Sequence, residues 1–114
     1  MAELRIEGDE LVLELTTVEE IEGVHGTVRL PASSIRSVEV LDDAIHAVHG
    51  MRAPGTGIPG STAVGTFRSP DEKMFAVVHH DTPRGVRVRL EGADYDELIV
   101  GCAEPEAVAA SLGR

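Results

Sequence analysis

Apolar and polar residues alternate at every second position over most of this chain. Leu4 and Ile6 alternate with Arg5 and Glu7. After Gly8-Asp9 the pattern resumes in Glu10-Leu11-Val12-Leu13-Glu14-Leu15, where Leu11, Leu13 and Leu15 share one face. A period of two marks a half-buried strand, and a Gly-Asp pair between two such runs marks a hairpin turn. Strands are likewise predicted over Thr27-Val28-Arg29-Leu30, ended by Pro31, and over Ile35 to Leu41. Four more follow at Ser61 to Arg68, Met74 to His79, Gly85 to Leu90 and Leu98 to Cys102. Helical signals are fewer and shorter. Thr17 and Glu20 have the spacing of a capping box, so a short helix should follow and stop at Gly23 or Gly26. Asp42 to His49 reads as one or two helical turns with an aspartate cap. Pro105, Glu106 in the first turn and Gly113 beyond Leu112 predict a terminal helix of roughly two turns, too short to persist unless docked.

No helix of crossover length separates the strands, which argues against parallel βαβ units. The expected fold is therefore mainly β: an antiparallel sandwich or partly open barrel of about seven strands, with a C-terminal capping helix. The 114 residues form one domain, 1–114. A chain of this size buries a working core without metals or disulfides. With aromatics at 3%, that core must be built from Val, Leu, Ile and Ala.

The remaining composition narrows the function classes. The single cysteine, Cys102, lies in an apolar run with no polar activator beside it, so it reads as a buried structural thiol. No basic segment leads an apolar stretch at the N-terminus and no run is long enough to span a bilayer, so a cytoplasmic location is expected. The formal net charge is −10, unevenly spread. Residues 1–50 carry 11 acidic and 3 basic groups, residues 51–90 only 3 acidic against 6 basic. The overall field repels nucleic acid and anionic membranes, and any anion-binding surface must lie in the second half.

Arg52-Ala-Pro-Gly-Thr-Gly-Ile-Pro-Gly60 is the most distinctive segment. Pro54-Gly55 and Pro59-Gly60 are both turn dipeptides, in which proline presets one angle and glycine accepts the next. Gly55, Gly57 and Gly60 spell a literal G-x-G-x-x-G. A dinucleotide fingerprint would have to follow a strand and open a helix, and here Pro59 and the strand-like residues after Gly60 oppose one. The segment instead reads as a rigid double turn with Ile58 as an apolar tip. Arg52, Gly55, Gly57, Ile58, Gly60 and Arg68 are the candidate partner- or ligand-binding residues.

The histidines offer less. His46 and His49 lie three apart and would share a helical face, a permissible metal-ligand spacing to which Asp42 or Asp43 could add a carboxylate. No cysteine accompanies them, and solvent-facing residues account for the pattern as well. His79-His80-Asp81 sits where a strand turns. The serines lack a nucleophile-elbow context. In Gly85-Val86-Arg87-Val88-Arg89-Leu90-Glu91 the apolar residues take one face and Arg87, Arg89 and Glu91 the other. That is a solvated strand face, paired across the ladder with Glu14 or Glu39.

Several segments together carry a family likeness: Thr16-Thr17-Val18-Glu19, Val28 to Val38, the glycine loop with Ala63-Val64-Gly65-Thr66-Phe67 after it, and Leu98-Ile99-Val100 with Pro105-Glu106. They resemble small bacterial, actinobacterial-type proteins with a pleckstrin-homology-like (PH-like) fold. The likeness implies a seven-stranded barrel closed at one end by a C-terminal helix, and implies a fold more than an activity. One departure concerns phosphoinositides. PH domains that bind them carry a basic cluster around the first hairpin, whereas this hairpin reads Glu7-Gly8-Asp9-Glu10 and would repel a phosphorylated headgroup.

The expected function is a non-enzymatic binding module for protein or peptide, including copies of itself, with no cofactor, nucleic acid or membrane partner. The alternative is a small-molecule or metal-binding protein, with hydrolase or lyase chemistry near His46, His49, His79 and Arg52.

Overall fold

In a computed structural model the chain is mainly β, with two sheets and a C-terminal helix among the described residues. The structure describes residues 3–14, 28–44, 51–52, 62–69, 72–79, 82–93 and 95–112. The predicted helix after Thr17, most of the predicted turn over 42–49, residues 53–60 of the glycine loop, His25, His46, His49, His80 and Asp81 lie outside them.

Strands β1 (Glu3–Glu7), β2 (Glu10–Glu14) and β3 (Val28–Pro31) form an antiparallel sheet in sequence order. Gly8 makes the first turn with a φ of 62°, a conformation glycine adopts without steric cost. A 3-10 turn at Ala32–Ser34 leads from β3 into β4 (Ile35–Leu41). β4 belongs to the second sheet with β5 (Met51–Arg52), β6 (Thr62–Ser69), β7 (Glu72–His79), β8 (Gly85–Leu90) and β9 (Glu97–Gly101). Their order across that sheet is β4-β8-β9-β7-β6-β5. The chain ends in α1 (Pro105–Ser111), which packs on β1, β4 and β8. α1 thus bridges edge strands of both sheets, and its Val108 and Ala109, with Leu112 just beyond, join the core between them.

Two features depart from the sequence expectation. Nine strands are described rather than about seven, and they form no closed barrel. The large sheet is also mixed: β7 and β9 run parallel, with Met74 opposite Glu97 and Val77 opposite Val100. β9 inserts between β7 and β8, strands that follow each other in sequence. The physical reason lies in its composition. Glu97, Leu98, Ile99, Val100 and Gly101 are all buried, so β9 needs a neighbour on both sides and cover on both faces. The crossover that parallel pairing demands is supplied by β8 and its flanking turns instead of by a helix.

Alternation along β7 splits the core. Phe75 and Val77 join Leu11, Leu13, Val86, Val88, Leu98 and Val100 between the sheets, while Met74, Ala76 and Val78 join Phe67, Ile99 and Ala44 on the other face of the large sheet. Burying each such leucine or valine contributes roughly 1.5–3 kcal/mol before conformational entropy is subtracted. Tyr95 closes the inner core edge-on to Phe75, with ring centroids 5.4 Å apart, and Lys73 Nζ lies 4.8 Å from the tyrosine centroid.

Asp96 clips the β8–β9 turn to the start of β7. Its carboxylate accepts from the Lys73 N–H at 2.8 Å, and its own N–H donates to the Lys73 carbonyl at 2.8 Å. Asp96→Ala removes the first bond and keeps the second. The expected cost is about 1 kcal/mol, read as a lower urea midpoint at unchanged slope.

Arg84, in the loop before β8, fastens the terminal helix. It donates to Glu106 in the first turn of α1 and lies 3.5 Å from Asp42. The hydrogen bond from Arg84 holds the Glu106 carboxyl below its usual range. A carboxyl with a depressed folded-state pKa stabilises the fold at pH values above its unfolded-state pKa. That stabilisation is lost as pH falls through the folded-state value. The acid limb of a pH–stability curve should therefore be shallower in a Glu106→Gln chain. Equal limbs would show that the pair contributes nothing to helix docking.

Candidate functional site

Two places in the described structure carry chemistry that packing alone does not account for. Both lie on the large sheet.

The first is a ladder of charges on the face away from the small sheet. Cross-strand register sets Glu39 opposite Arg87, Arg87 opposite Ile99, and Arg89 opposite Glu97. Glu97 begins a strand whose later residues are drawn into the core, and its side chain is only 2% exposed. Arg87 Nε lies 3.2 Å from one Glu97 oxygen, and Arg89 Nη1 lies 3.9 Å from the other. Arg87 also reaches Glu39 at 3.3 Å. Burying a carboxylate is costly unless guanidinium groups offset the lost hydration, and two arginines on the neighbouring strand supply them. The expected pairing of Arg87 with Glu39 is present. Glu14 instead pairs with Arg5 at 2.7 Å on the small sheet.

Sequence reasoning placed the last strand at Leu98 and left Glu97 in the turn. A usable signal was present. Leu98-Ile99-Val100 is apolar at both parities, so an acidic residue one position earlier shares the buried face of Ile99. The ladder ties β4, β8 and β9 together. Its acid and bases neutralise one another, which is an arrangement for holding strands in register.

The second place is the outer edge of β6. β6 pairs with β7 along its full length, from Thr62 opposite His79 to Ser69 opposite Glu72. On its other side, β5 pairs only at Met51–Arg68 and Arg52–Phe67. Among the described residues, positions 62–66 therefore have no ladder partner on that side. Their main chain alternately points N–H and C=O groups away from β7, and such groups bind an extended segment readily.

The predicted site residues divide accordingly. Arg52 belongs to strand β5 rather than to the loop, a correction to the expected loop boundary. Two residues are too short a run to show a period, so β5 was not legible. Arg68 lies on β6 opposite Met51, and the register does not make Arg52 and Arg68 cross-strand partners. Gly55, Gly57, Ile58 and Gly60 lie outside the described residues, as do His46 and His49. His79 ends β7. Asp42 to Ala44 form a bend, with the Ala44 N–H donating to the Pro83 carbonyl at 2.7 Å.

Cys102 is buried and its sulfur lies 3.8 Å from the Val100 carbonyl. Burial first, then the negative charge of Glu106, pushes its thiol above the ordinary value, with Arg84 opposing. That is the setting of an inert structural thiol. Among the described residues no three His, Cys, Asp or Glu side chains gather as a metal site would require, and no helix is long and apolar enough to cross a membrane.

Compared with protein-family models, with curated proteins and with solved structures, the chain matches none.

Proposed function

We propose that this chain is a non-enzymatic, PH-like binding module that takes up an extended protein or peptide segment, its own included. The observation that carries the reading is the β6 edge, where β5 covers two of eight positions among the described residues. Strand addition draws its affinity from main-chain hydrogen bonds, so it needs an unpaired ladder more than a deep cavity. The placement of α1 across β1 and β4 favours a PH-like arrangement, and also puts the site at the opposite end of the large sheet. The first hairpin suits no phosphorylated headgroup, because Glu7 and Glu10 flank the Gly8-Asp9 turn and already engage Arg5 and Arg29.

Native mass spectrometry of the purified chain tests the reading against its alternative. The expected spectrum holds the bare chain and its complexes with polypeptide. A stoichiometric metal or small-molecule adduct would shift the function to ligand binding near His46, His49, His79 and Arg52.

A further inference from the structure

We infer that α1 is a strap that opens while both sheets stay folded, and that its opening bares the apolar seam between β1 and β4. This device is independent of the β6 edge.

Three observations point to a separable element. First, α1 has little order of its own. It runs for seven residues, Pro105–Ser111. Pro105 and Glu106 suit its start, but its N-cap Glu104 makes no side-chain bond to the first turn, and no basic residue stands in its last turn. A helix of two turns does not persist in water on such terms, so α1 is ordered only where it is docked.

Second, the docking is shallow and one-sided. Pro105 is buried, Val108 and Ala109 are half-buried, and the buried Leu112 follows the last turn. Glu104, Glu106, Ala107, Ala110 and Ser111 are exposed. In β9, by contrast, all five residues are buried. The polar fastening of α1 also lies at the surface: Arg84 holds Glu106 and Asp42, whose side chains are 64% and 94% exposed. Ion pairs so exposed hold little against water. An element with few buried apolar groups and a wet fastening opens at less cost than the body it rests on.

Third, α1 closes a place where the sheets do not close themselves. β1 and β4 are edge strands of different sheets, and among the described residues no ladder joins them. α1 packs on both. Leu4 and Ile6 of β1 and Val38 of β4 share one apolar cluster with Val108 and Leu112. Cys102, at the root of the strap, belongs to the same cluster. Its N–H donates to the Arg84 carbonyl at 2.9 Å, so the hinge begins beyond it, at Ala103 and Glu104. Burial and the charge of Glu106 both push the thiol up from its ordinary value. Withdrawing α1 relieves both, so the thiol reacts when the strap is open. As the single cysteine it reports that opening alone.

Thiol labelling and hydrogen exchange of the intact chain, each followed against urea, test the inference. The labelling probe is a neutral pyridyl disulfide in excess. Labelling in water should be about tenfold or more faster than the global unfolding equilibrium allows, with a urea slope well below that of global unfolding. The Val108 and Leu112 amides should exchange through the same opening and with the same slope. The ladder amides of β8 and β9 should exchange only with the global transition. Ala107→Gly is the decisive variant. Its side chain is exposed, so the change loosens the helix without touching the core, and both labelling and α1 exchange should speed up roughly two- to fivefold.

The contrary outcomes are distinct. Labelling and α1 exchange that carry the full urea slope show that α1 opens only with the whole fold, and overturn the strap. Amides of α1 that are unprotected even in water overturn it too, because the strap is then never closed. Labelling that Ala107→Gly leaves unchanged shows the thiol reached with α1 still docked, and overturns the cover that α1 gives the seam.

Discussion

Gly85→Ala should destabilise the fold by about 3 kcal/mol or more, the largest loss expected from adding one methyl group at any of the glycines with described surroundings. Gly85 stands opposite Gly101 where β8 and β9 begin their pairing. A β-carbon at position 85 would lie 2.3 Å from the Val100 carbonyl oxygen and 3.0 Å from the Gly101 α-carbon. Both are main-chain atoms of a strand whose five residues are all buried, so no side chain can swing aside to make room. β9 would have to move against Phe75, Ala76 and Val77 on its far side. The crossing is tight because residues 82–84 pass over the end of β9: the Cys102 N–H donates to the Arg84 carbonyl at 2.9 Å, and a β-carbon at Gly101 would lie 3.2 Å from the Thr82 carbonyl. Gly92→Ala is the control. Its φ of 77° strains any other residue, but a β-carbon there meets open space. That change should cost only ~1–2 kcal/mol, the ordinary penalty of the left-handed region. If urea unfolding finds the Gly85 variant no less stable than the Gly92 variant, the inserted position of β9 is wrong.

The inserted strand also marks where the sequence stopped being informative. Two-residue alternation located β4 and β8 to the residue, because each has one apolar face and one charged face. Proline at the first helical position and the apolar pair Val108 and Leu112 placed the terminal helix equally well. Alternation carries no information about direction, however. A five-residue connection between β7 and β8 reads as a hairpin, and nothing local reveals that β9 separates the two strands. What identifies β9 as central is its doubly apolar run, and that constrains the number of its neighbours without naming them. The described part of β5, Met51–Arg52, is too brief to show a period. For the candidate site, a partly open barrel implies strand edges as a class of feature, without saying which strands form them. The described pairing on the outer side of β6, between residues 51–52 and 67–68, is long-range and leaves no local mark in the sequence. Of the charge ladder, half was legible: Arg87 and Arg89 shared a face by parity, but their main counter-ion was hidden by a strand boundary misplaced by one residue.

That counter-ion sets the second large effect. Glu97→Gln keeps the shape of the side chain and removes its charge, leaving Arg87 with Glu39 as its remaining anion. Breaking a fully buried ion pair costs about 3–5 kcal/mol. Arg87 is 19% exposed and keeps Glu39 at 3.3 Å, so the expected loss is smaller, about 2 kcal/mol. Arg87→Met should cost more than Glu97→Gln. It removes the nearer of two guanidinium groups from a carboxylate that is only 2% exposed, whereas Glu97→Gln removes the buried charge itself; Arg89, at 3.9 Å, is half exposed. The sign of the double variant then decides what the ladder is for. With Glu97→Met and Arg87→Met together, the row becomes apolar beside Ile99 and Met74, and no charge is left buried. If the ion pair serves stability, the double variant should unfold more easily than either single one. If it serves register, the double variant should recover most of the loss, since well-packed apolar groups replace buried pairs at little cost. Recovery is the expected result, because offsetting the desolvation of Glu97 consumes most of what its attraction to Arg87 supplies. The register function would show separately, as faster amide exchange along β8 and β9 in a chain whose unfolding midpoint is nearly normal.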